Sequence, residues 1–308
     1  IAKEHDSSLM RSAMQAGARD YFVAPHDADE INKAIVVLHK EFEKQKKAPG
    51  TLTTIINAKG GSGASLIACN LAHVTAVTSC LSTALVDLDL QFGTQALLLD
   101  IKPEHTIVDA LNDIDNIDNA ALDGYMTRHD SGLNLLSTLH EHIVLPGEIP
   151  VAKLDHLLSL ALRNFDHVFV DLPRQIDPLT ATVLDTSDHI LIVLQQSLAH
   201  LRDAKRLVQI IKSELNVPAN KITLVVNRYN PDSSIQNKDI LSALGCNNII
   251  SIPNDYERIA TATNLGVPLF EYAQDSKIAG AFINLAEKMN IKVGAQFKKQ
   301  GFFKRLFK

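Results

Sequence analysis

The sequence predicts an α/β fold with a doubly wound, mostly parallel sheet, and three observations carry this prediction. Strand-like and helix-like runs alternate from residue 51 to residue 290. The strand-like runs are short and almost continuously apolar, as over His189–Leu194, which is typical of strands buried on both faces. The first of them ends in a glycine-rich loop that opens a helix-like run. Ligands of such sheets bind at the carboxyl ends of the strands, so functional residues are sought there.

The individual elements follow from apolar patterning and from helix start and stop signals. Near the N-terminus we expect a helix over Ser8–Ala16, a short strand over Asp20–Ala24 and a helix over Asp27–Lys40, followed by a lysine-containing linker that ends at Pro49-Gly50. Further strands are predicted over residues 51–58, 82–88, 133–138, 167–172, 189–195, 221–227 and 248–252. Further helices are predicted over residues 65–79, 151–165, 177–186, 198–215, 235–244, 255–265 and 275–290.

Composition excludes several classes of protein. With 46% hydrophobic and 21% charged residues, the 308-residue chain is typical of a soluble globular protein. No apolar run approaches the 18 residues of a membrane-spanning helix. The three cysteines are widely spaced, which favours a reducing cytoplasm over a disulfide framework or a zinc site. Because the chain starts at Ile1 within what resembles a domain, we expect further sequence upstream.

The glycine-rich loop is the most informative motif. It reads Ala58-Lys59-Gly60-Gly61-Ser62-Gly63-Ala64-Ser65 and lies between a strand-like and a helix-like run. Glycines let successive backbone N–H groups converge on an anion, and the helix N-terminus adds partial positive charge. A phosphate-binding loop usually has a lysine directly before its final Ser or Thr, and Ala64 stands at that position. We expect the loop to hold a nucleotide, and its capacity for hydrolysis is open.

This loop resembles the deviant Walker A motif of the MinD/ParA family of P-loop NTPases, Lys-Gly-Gly-x-Gly-Lys-Ser/Thr. The resemblance makes Lys59 the signature lysine, which in that family reaches the phosphates held by the partner in a nucleotide-sandwiched homodimer. Lys59 is thereby also a candidate catalytic residue, whereas Ala64 departs from the family pattern. The residues that the resemblance implies for binding the phosphates of ATP are Lys59, Gly60, Gly61, Ser62, Gly63, Ala64 and Ser65.

Carboxylates end two of the predicted strands. Asp87 and Asp89 match the family's Walker A′ pair, in which the position of Asp89 orients the attacking water. From the residues alone, a solvated acidic pair in a loop explains Asp87 and Asp89 equally well. Asp171 closes an apolar strand and resembles the Walker B carboxylate, which holds the Mg²⁺ hydration shell opposite the Ser65 hydroxyl. Since Mg²⁺ keeps several waters and takes few protein ligands, one hydroxyl and one carboxylate are a sufficient set.

A further strand-like run ends at Asn227-Arg228. In the MinD/ParA family the matching asparagine contacts the adenine edge, and the arginine lies beside the base. A side-chain amide donates and accepts hydrogen bonds at once, which suits adenine. Asn227 and Arg228 therefore complete the expected nucleotide site.

Other segments are similar to the TadZ/CpaE branch of the family, proteins of tight-adherence (type IVc) pilus assembly. Residues 13–25 resemble the end of a receiver domain in which Ala24 replaces the usual lysine, and this branch carries an atypical receiver and often lacks the Walker lysine. The resemblance implies a nucleotide-loaded dimer that localises a pilus secretion machine, often at a pole, with weak or absent hydrolysis. The segments that carry it are Asp87–Thr94, Val170–Arg174 and Gln196–Ala204.

The C-terminal residues 291–308 carry a net charge of +6, which leaves −11 on the remaining 290 residues. Such an acidic body argues against broad binding to DNA. Helical spacing puts the apolar and basic side chains of residues 302–308 on different arcs, as in helices that lie in an anionic membrane interface. Docking of this tail on its own domain or on a partner protein is the alternative. The predicted membrane residues are Phe302, Phe303, Lys304, Arg305, Leu306 and Phe307.

Together these patterns predict a receiver-like segment at residues 1–45, a nucleotide-binding domain at 51–291 and a basic amphipathic tail at 292–308. We expect an ATP- and Mg²⁺-binding homodimer in the cytoplasm, peripheral at the inner membrane, that works with pilus secretion proteins. The alternative is an active MinD/ParA-type ATPase switch that cycles between membrane or DNA and cytosol. Lys59 and Asp89 favour the switch, and Ala64 opposes it.

Overall fold

The computed structural model describes residues 6–15, 17–18, 20–24, 29–36, 48–138, 144–145, 147–295 and 297. It divides the chain into two compact units, Ile1–Ala48 and Pro49–Lys308. In the first unit, helix α1 spans Ser7–Gln15 and residues 29–36 are helical (α2). The strand predicted over Asp20–Ala24 is reduced to an isolated β-bridge at Val23.

An eight-stranded sheet forms the centre of the second unit, in the order β3-β4-β2-β5-β1-β6-β7-β8. All neighbouring strands are parallel except β3, which pairs antiparallel with β4 at one edge. The α/β fold with a mostly parallel sheet is therefore confirmed. The strands are β1 (Thr51–Asn57), β2 (Thr83–Asp87), β3 (Thr127–Arg128), β4 (Asn134–Leu136), β5 (His167–Leu172), β6 (His189–Leu194), β7 (Ile222–Tyr229) and β8 (Ile249–Pro253).

Helices connect the parallel strands and cover the sheet. They are α3 (Ala64–Thr78), α4 (Gln95–Leu98), α5 (Ile107–Asp113), α6 (Leu122–Tyr125), α7 (Val151–Asn164), α8 (Pro178–Thr186), α9 (Leu198–Gln209), α10 (Asn237–Leu244), α11 (Tyr256–Asn264), α12 (Leu269–Tyr272) and α13 (Lys277–Lys288). A π-helical turn, Ile210–Glu214, extends α9. No helix in the described part of the chain is both long and apolar enough to span a bilayer.

Both faces of the sheet are buried, which explains the continuous apolar character of its strands. Successive side chains of a strand point to opposite faces. Ile55 and Phe169 pack with α3 and α13 on one face, whereas Ile56 and Val170 pack with α7 and α9 on the other. Two apolar cores therefore hold the sheet rigidly between helix layers, and the carboxyl ends of β1, β2, β5, β6 and β7 meet along one edge.

Candidate nucleotide-binding site

The glycine-rich loop joins β1 to α3 at the carboxyl edge of the sheet. Gly61 and Gly63 adopt φ angles of 79° and 98°, in the left-handed region that favours glycine. Gly63 is the N-cap of α3, and a Cβ atom there would lie 2.5 Å from Asn227 Nδ2. Gly60 faces open space, since nothing lies within 4 Å of where its Cβ would be. The loop conformation therefore depends on Gly61 and most of all on Gly63.

Asparagine side chains from two strand ends fix the loop. The Asn57 Oδ1 accepts a hydrogen bond of 3.0 Å from the Ala64 amide, and Asn227 Nδ2 donates one of 2.7 Å to the Ser62 carbonyl. The Arg228 amide donates to Asn227 Oδ1 at 2.9 Å. Asn227 thus lies beside the loop with both amide atoms engaged by the backbone. Its predicted contact with a base stays a prediction.

The Ser62 side chain points into the protein rather than toward the loop opening. Ser62 is buried, and its hydroxyl donates to the Lys59 carbonyl and lies 3.3 Å from His200 Nδ1. Gln195 Nε2 donates to the Gly61 carbonyl at 3.1 Å. The Ser62 amide also donates to the Lys59 carbonyl, at 3.1 Å, so the amide and the hydroxyl of Ser62 both brace the loop from within.

Two adjoining cavities open beside the loop. A cleft of about 500 Å³ lies over Asn57, Gly61 and Ser65, and a second cavity of about 250 Å³ lies beside Asn227 and Arg228. Both are lined by Gly63, Leu66 and Thr263, so they meet at the start of α3. The cleft falls within the usual size range of small-molecule sites, about 300–1,000 Å³, and the second cavity is slightly smaller. The cleft over the loop suits phosphates, and the cavity beside Asn227 and Arg228 suits a base.

Two buried carboxylates face each other across the neighbouring strands β2 and β5. Asp87 and Asp171 are partners in the β2–β5 register, with exposed fractions of 0% and 2%. Burial, with the charge of Asp171 second, raises the pKa of Asp87 to about 8. Burial also raises the pKa of Asp171 to about 6, although hydrogen bonding from Ser65 and Gln95 acts in the opposite direction. Two buried negative charges side by side are unfavourable, so a cation or a proton is needed to compensate one of them.

The arrangement around Asp171 fits a magnesium ion. Within the described chain, Asp171 Oδ1 is buried and accepts no hydrogen bond. The other oxygen, Oδ2, accepts one of 2.7 Å from Gln95 Nε2, which also donates to the Ser65 carbonyl at 3.0 Å. Gln95 therefore links Asp171 to Ser65, whose hydroxyl is the other proposed magnesium ligand. A free carboxylate oxygen beside a hydroxyl is an oxygen donor set that Mg²⁺ accepts.

Asp89, the candidate water-orienting residue, follows β2 and is half-buried. Its Oδ1 accepts a hydrogen bond of 3.0 Å from the Phe92 amide, and its charge contributes to the raised pKa of Asp171. Asp89 is therefore close to the buried pair while shaping the turn after β2. Its catalytic role stays a prediction.

Lys59 lies in a cluster of charges that we call the Asp203 cluster, consisting of Lys59, Arg174, Arg202 and Asp203. Asp203 Oδ2 is 3.5 Å from Lys59 Nζ and 3.2 Å from Arg174 Nη2. Asp203 Oδ1 is 2.9 Å from Arg202 Nη2. Hydrogen bonding from Arg202, more than any other contact, holds the pKa of Asp203 below its usual range. Lys59 is therefore paired with α9 of its own chain.

Comparison with known proteins identifies the family. Residues 50–223, more than half of the chain, match the family model described as AAA domain. The chain belongs to the AAA domain family. Its relatives include MinD proteins and a ParA family ATPase, which support the MinD/ParA superfamily.

Three proteins illustrate this similarity to MinD and ParA. The putative septum site-determining protein MinD of Emiliania huxleyi is 24% identical over 247 residues, which cover 77% of this chain and 86% of that protein. A ParA family ATPase from Chlorobium tepidum is 25% identical, with a TM-score of 0.69 over 77% of this chain and 98% of that one. MinD from Pyrococcus horikoshii, solved with Mg-ADP, is 20% identical, with a TM-score of 0.65 over 78% and 96%.

Sequence reasoning assigned no role to three residues of this candidate site. Gln95 links Asp171 to Ser65, and Asp203 holds Lys59 and Arg174. Arg174 and Asp203 lie within the segments that resemble the TadZ/CpaE branch, and this position was the only signal for them. Gln95 follows such a segment directly and had no signal of its own.

Proposed function

We propose that the protein is an ATP-binding, dimeric localisation and assembly factor for a tight-adherence (type IVc) pilus secretion system. In this proposal it associates with the membrane through its C-terminal tail and hydrolyses ATP weakly or not at all. One observation carries the proposal: the glycine-rich loop, held by Asn57 and Asn227 beside two cavities, has alanine where phosphate-binding loops usually have lysine.

The principal proposed contacts for the phosphates are loop amides other than those of Ser62 and Ala64, which donate to the Lys59 carbonyl and to Asn57 Oδ1. Gly61 and Gly63 let the backbone curl, and the N-terminus of α3 adds partial positive charge toward the cleft. Arg228 and Asn227 would lie beside the base, because both line the second cavity. The Mg-ADP in the P. horikoshii MinD structure supports a nucleotide of this kind in the shared fold.

Ser65 and Asp171 are the proposed residues for Mg²⁺. The buried, unbonded Asp171 Oδ1 supports this assignment, because a buried carboxylate oxygen without a partner is costly. When bound, the ion would neutralise phosphate charge. Asp87 would position Asp171 through Gln95, whose backbone amide donates to Asp87 Oδ2 at 3.2 Å and whose side chain donates to Asp171.

The Gln95 link gives the first testable prediction. We expect Gln95→Ala to weaken Mg²⁺-dependent nucleotide binding about tenfold, because the substitution removes the donor that orients Asp171. Mg²⁺ titration of the protein with a fluorescent ATP analogue measures this effect. Gln91→Ala is the matched control, since Gln91 follows the same strand but donates to the Val144 carbonyl. Identical Mg²⁺ titrations for Gln95→Ala and the parent would contradict the magnesium assignment.

Weak or absent hydrolysis follows from Ala64. A lysine at this position places a charge on the β- and γ-phosphates, and phosphoryl transfer depends mainly on positioning and electrostatics. The described backbone contacts of the loop are independent of that side chain, since Asn57 holds the Ala64 amide. We therefore expect binding to survive while turnover is lost.

The pilus role rests on the resemblance of Asp87–Thr94, Val170–Arg174 and Gln196–Ala204 to the TadZ/CpaE branch. A compact N-terminal unit that precedes the nucleotide-binding unit is consistent with the receiver-like segment of that branch. The partners would be pilus secretion proteins and a second copy of the chain, and the location would be the inner membrane, at a pole. Broad DNA binding is disfavoured by the acidic body.

The proposed membrane contact gives a second prediction. The tail residues 302–308 lie outside the described residues, so the prediction rests on their sequence. We expect the protein to sediment with vesicles that contain anionic lipid, more strongly in Mg-ATP than in Mg-ADP, because a dimer presents two weak tails. Raised salt should weaken the binding.

The control for this vesicle experiment is the pair Phe302→Glu and Phe307→Glu, which places charges on the apolar arc of the tail. We expect this variant to remain in the supernatant. If it bound vesicles as well as the parent, the tail would not be the membrane contact, and the alternative of a tail docked on protein would be favoured.

The second candidate function is the active ATPase switch of the MinD/ParA type. Lys59 and Asp89 favour it, because the positions attributed to transition-state stabilisation and water orientation are both present. Phosphate release by the parent protein at saturating Mg-ATP separates the two functions.

A further inference from the structure

The Asp203 cluster contains more positive charge than its single carboxylate can neutralise. Three cationic side chains, those of Lys59, Arg174 and Arg202, surround Asp203, so the cluster carries a net charge of +2. Asp203 is 10% exposed, while the three cations are 40%, 49% and 79% exposed. The carboxylate therefore lies inside the cluster, and the cations are accessible to a further anion.

Arg174 differs from the other cations because it is anchored to the phosphate-binding loop. Its Nε donates a hydrogen bond of 2.8 Å to the carbonyl of Ala58, the residue directly before Lys59. This contact, together with Asp203, engages Nε and Nη2. A guanidinium has five N–H donors in a planar fork, so donors remain for a second anion. Arg174 is thus held at the base of the loop, and its exposed guanidinium keeps N–H donors for another anion.

The loop itself lacks a cation where one is usual. Ala64 offers no side-chain donor, and Lys59 is paired with Asp203. A triphosphate carries more negative charge than a carboxylate and accepts bidentate contacts from arginine, which are the strong, charge-assisted kind. A triphosphate at the loop is therefore able to compete with Asp203 for the arginine.

We propose that Arg174 supplies the positive charge that Ala64 omits, by leaving Asp203 and binding the terminal phosphate of a nucleoside triphosphate. This inference rests on the proposed ATP binding and adds a specificity determinant to it. Arg174 then makes the site prefer ATP over ADP, since only ATP has the γ-phosphate. Asp203 acts as the resting partner that keeps Arg174 oriented beside the loop.

Binding isotherms for Mg-ATP and Mg-ADP test the proposal with five proteins: the parent, Arg174→Ala, Arg174→Lys, Arg202→Ala and the double variant Arg174→Ala/Ala64→Lys. We expect Arg174→Ala to weaken ATP binding at least about tenfold, as for the loss of a charged hydrogen bond, and to change ADP binding much less. Arg174→Lys should retain part of the ATP preference. The double variant should recover ATP affinity, because its lysine returns a charge to the phosphates.

Arg202→Ala is the matched control. It removes a cation from the same carboxylate, but the described contacts of Arg202 lie on Asp203 rather than on the loop. We expect near-parental affinities for both nucleotides. Thermal melting of every variant accompanies the isotherms, because loss of the Ala58 contact alone would lower stability without changing the ratio of ATP to ADP affinity.

The outcomes are distinct. Unchanged ATP affinity in Arg174→Ala, or equal losses for ATP and ADP, would overturn the assignment of Arg174 and leave the proposed function intact. Failure of Ala64→Lys to rescue Arg174→Ala would show that the two positions do not supply the same charge, and would also overturn it. A parent protein that binds no ATP would overturn the proposed function, and this inference with it.

Discussion

Replacing Ala64 by lysine is expected to raise phosphate release from Mg-ATP by about a hundredfold or more, the usual effect of one well-placed charge on a transition state. Ala64 lines the cleft of about 500 Å³ beside Gly61 and Ser65 but is itself 0% exposed, so the lysine must displace neighbouring atoms to extend into the cleft toward the phosphates. Its amide is already fixed by Asn57, so the substitution need not alter the loop backbone. Initial rates at saturating Mg-ATP, for the parent and the variant side by side, measure this effect.

Ala64→Met is the control for this experiment, because it adds similar length without charge. We expect Ala64→Met to be as inactive as the parent. If the parent released phosphate as fast as Ala64→Lys, then Lys59 and Asp89 would suffice for hydrolysis. The ATPase-switch function would then be the better account of the protein.

Alanine substitutions along the loop are expected to cause graded losses of stability and nucleotide affinity. Gly63→Ala should be the most damaging, because its Cβ would lie 2.5 Å from Asn227 Nδ2 at a φ of 98°. The left-handed conformation alone costs about 1–2 kcal/mol for a residue with a Cβ. The Asn227 amide cannot move aside freely, since it is buried and bonded to the Ser62 carbonyl. Nucleotide binding should be lost.

Two other glycines of the loop serve as internal controls for this series. Gly61→Ala incurs the backbone strain without a steric contact, and Gly60→Ala incurs neither. We therefore expect the free energy of unfolding, measured in urea, to be highest for Gly60→Ala, lower for Gly61→Ala and lowest for Gly63→Ala. Equal effects of Gly60→Ala and Gly63→Ala would contradict the loop conformation described above.

The sequence predicted those parts of the fold that have a strong local signal. Helices α3, α7 and α8 begin and end within two residues of their predicted limits, because a strong local signal marks each start: the glycine loop before α3, Pro150 before α7 and Asp177-Pro178 at α8. Strand β3, of two residues, and the short helices α4, α6 and α12, of four residues each, are too brief for periodicity to indicate them. They form because the chain between larger elements must close over the core.

The candidate site was predictable only in part, for a similar reason. The glycine loop, Asp87 and Asp171 are each tied to a strand end, and strand ends are visible in sequence. The contact of Lys59 with Asp203 joins residues 144 positions apart, and no local pattern indicates such a pair. The engagement of Asn227 by the Ser62 carbonyl spans 165 positions and was likewise unforeseen.

The most direct test of the proposed function is the mass and nucleotide content of the parent protein in Mg-ATP. Sedimentation velocity of the full chain, followed by chromatography of the nucleotide extracted from the sedimenting species, provides both. We predict a dimer that contains unhydrolysed ATP, and a monomer in Mg-ADP. A monomer in Mg-ATP, or a dimer whose nucleotide has become ADP, would contradict the proposal that ATP is a stable ligand of the dimer.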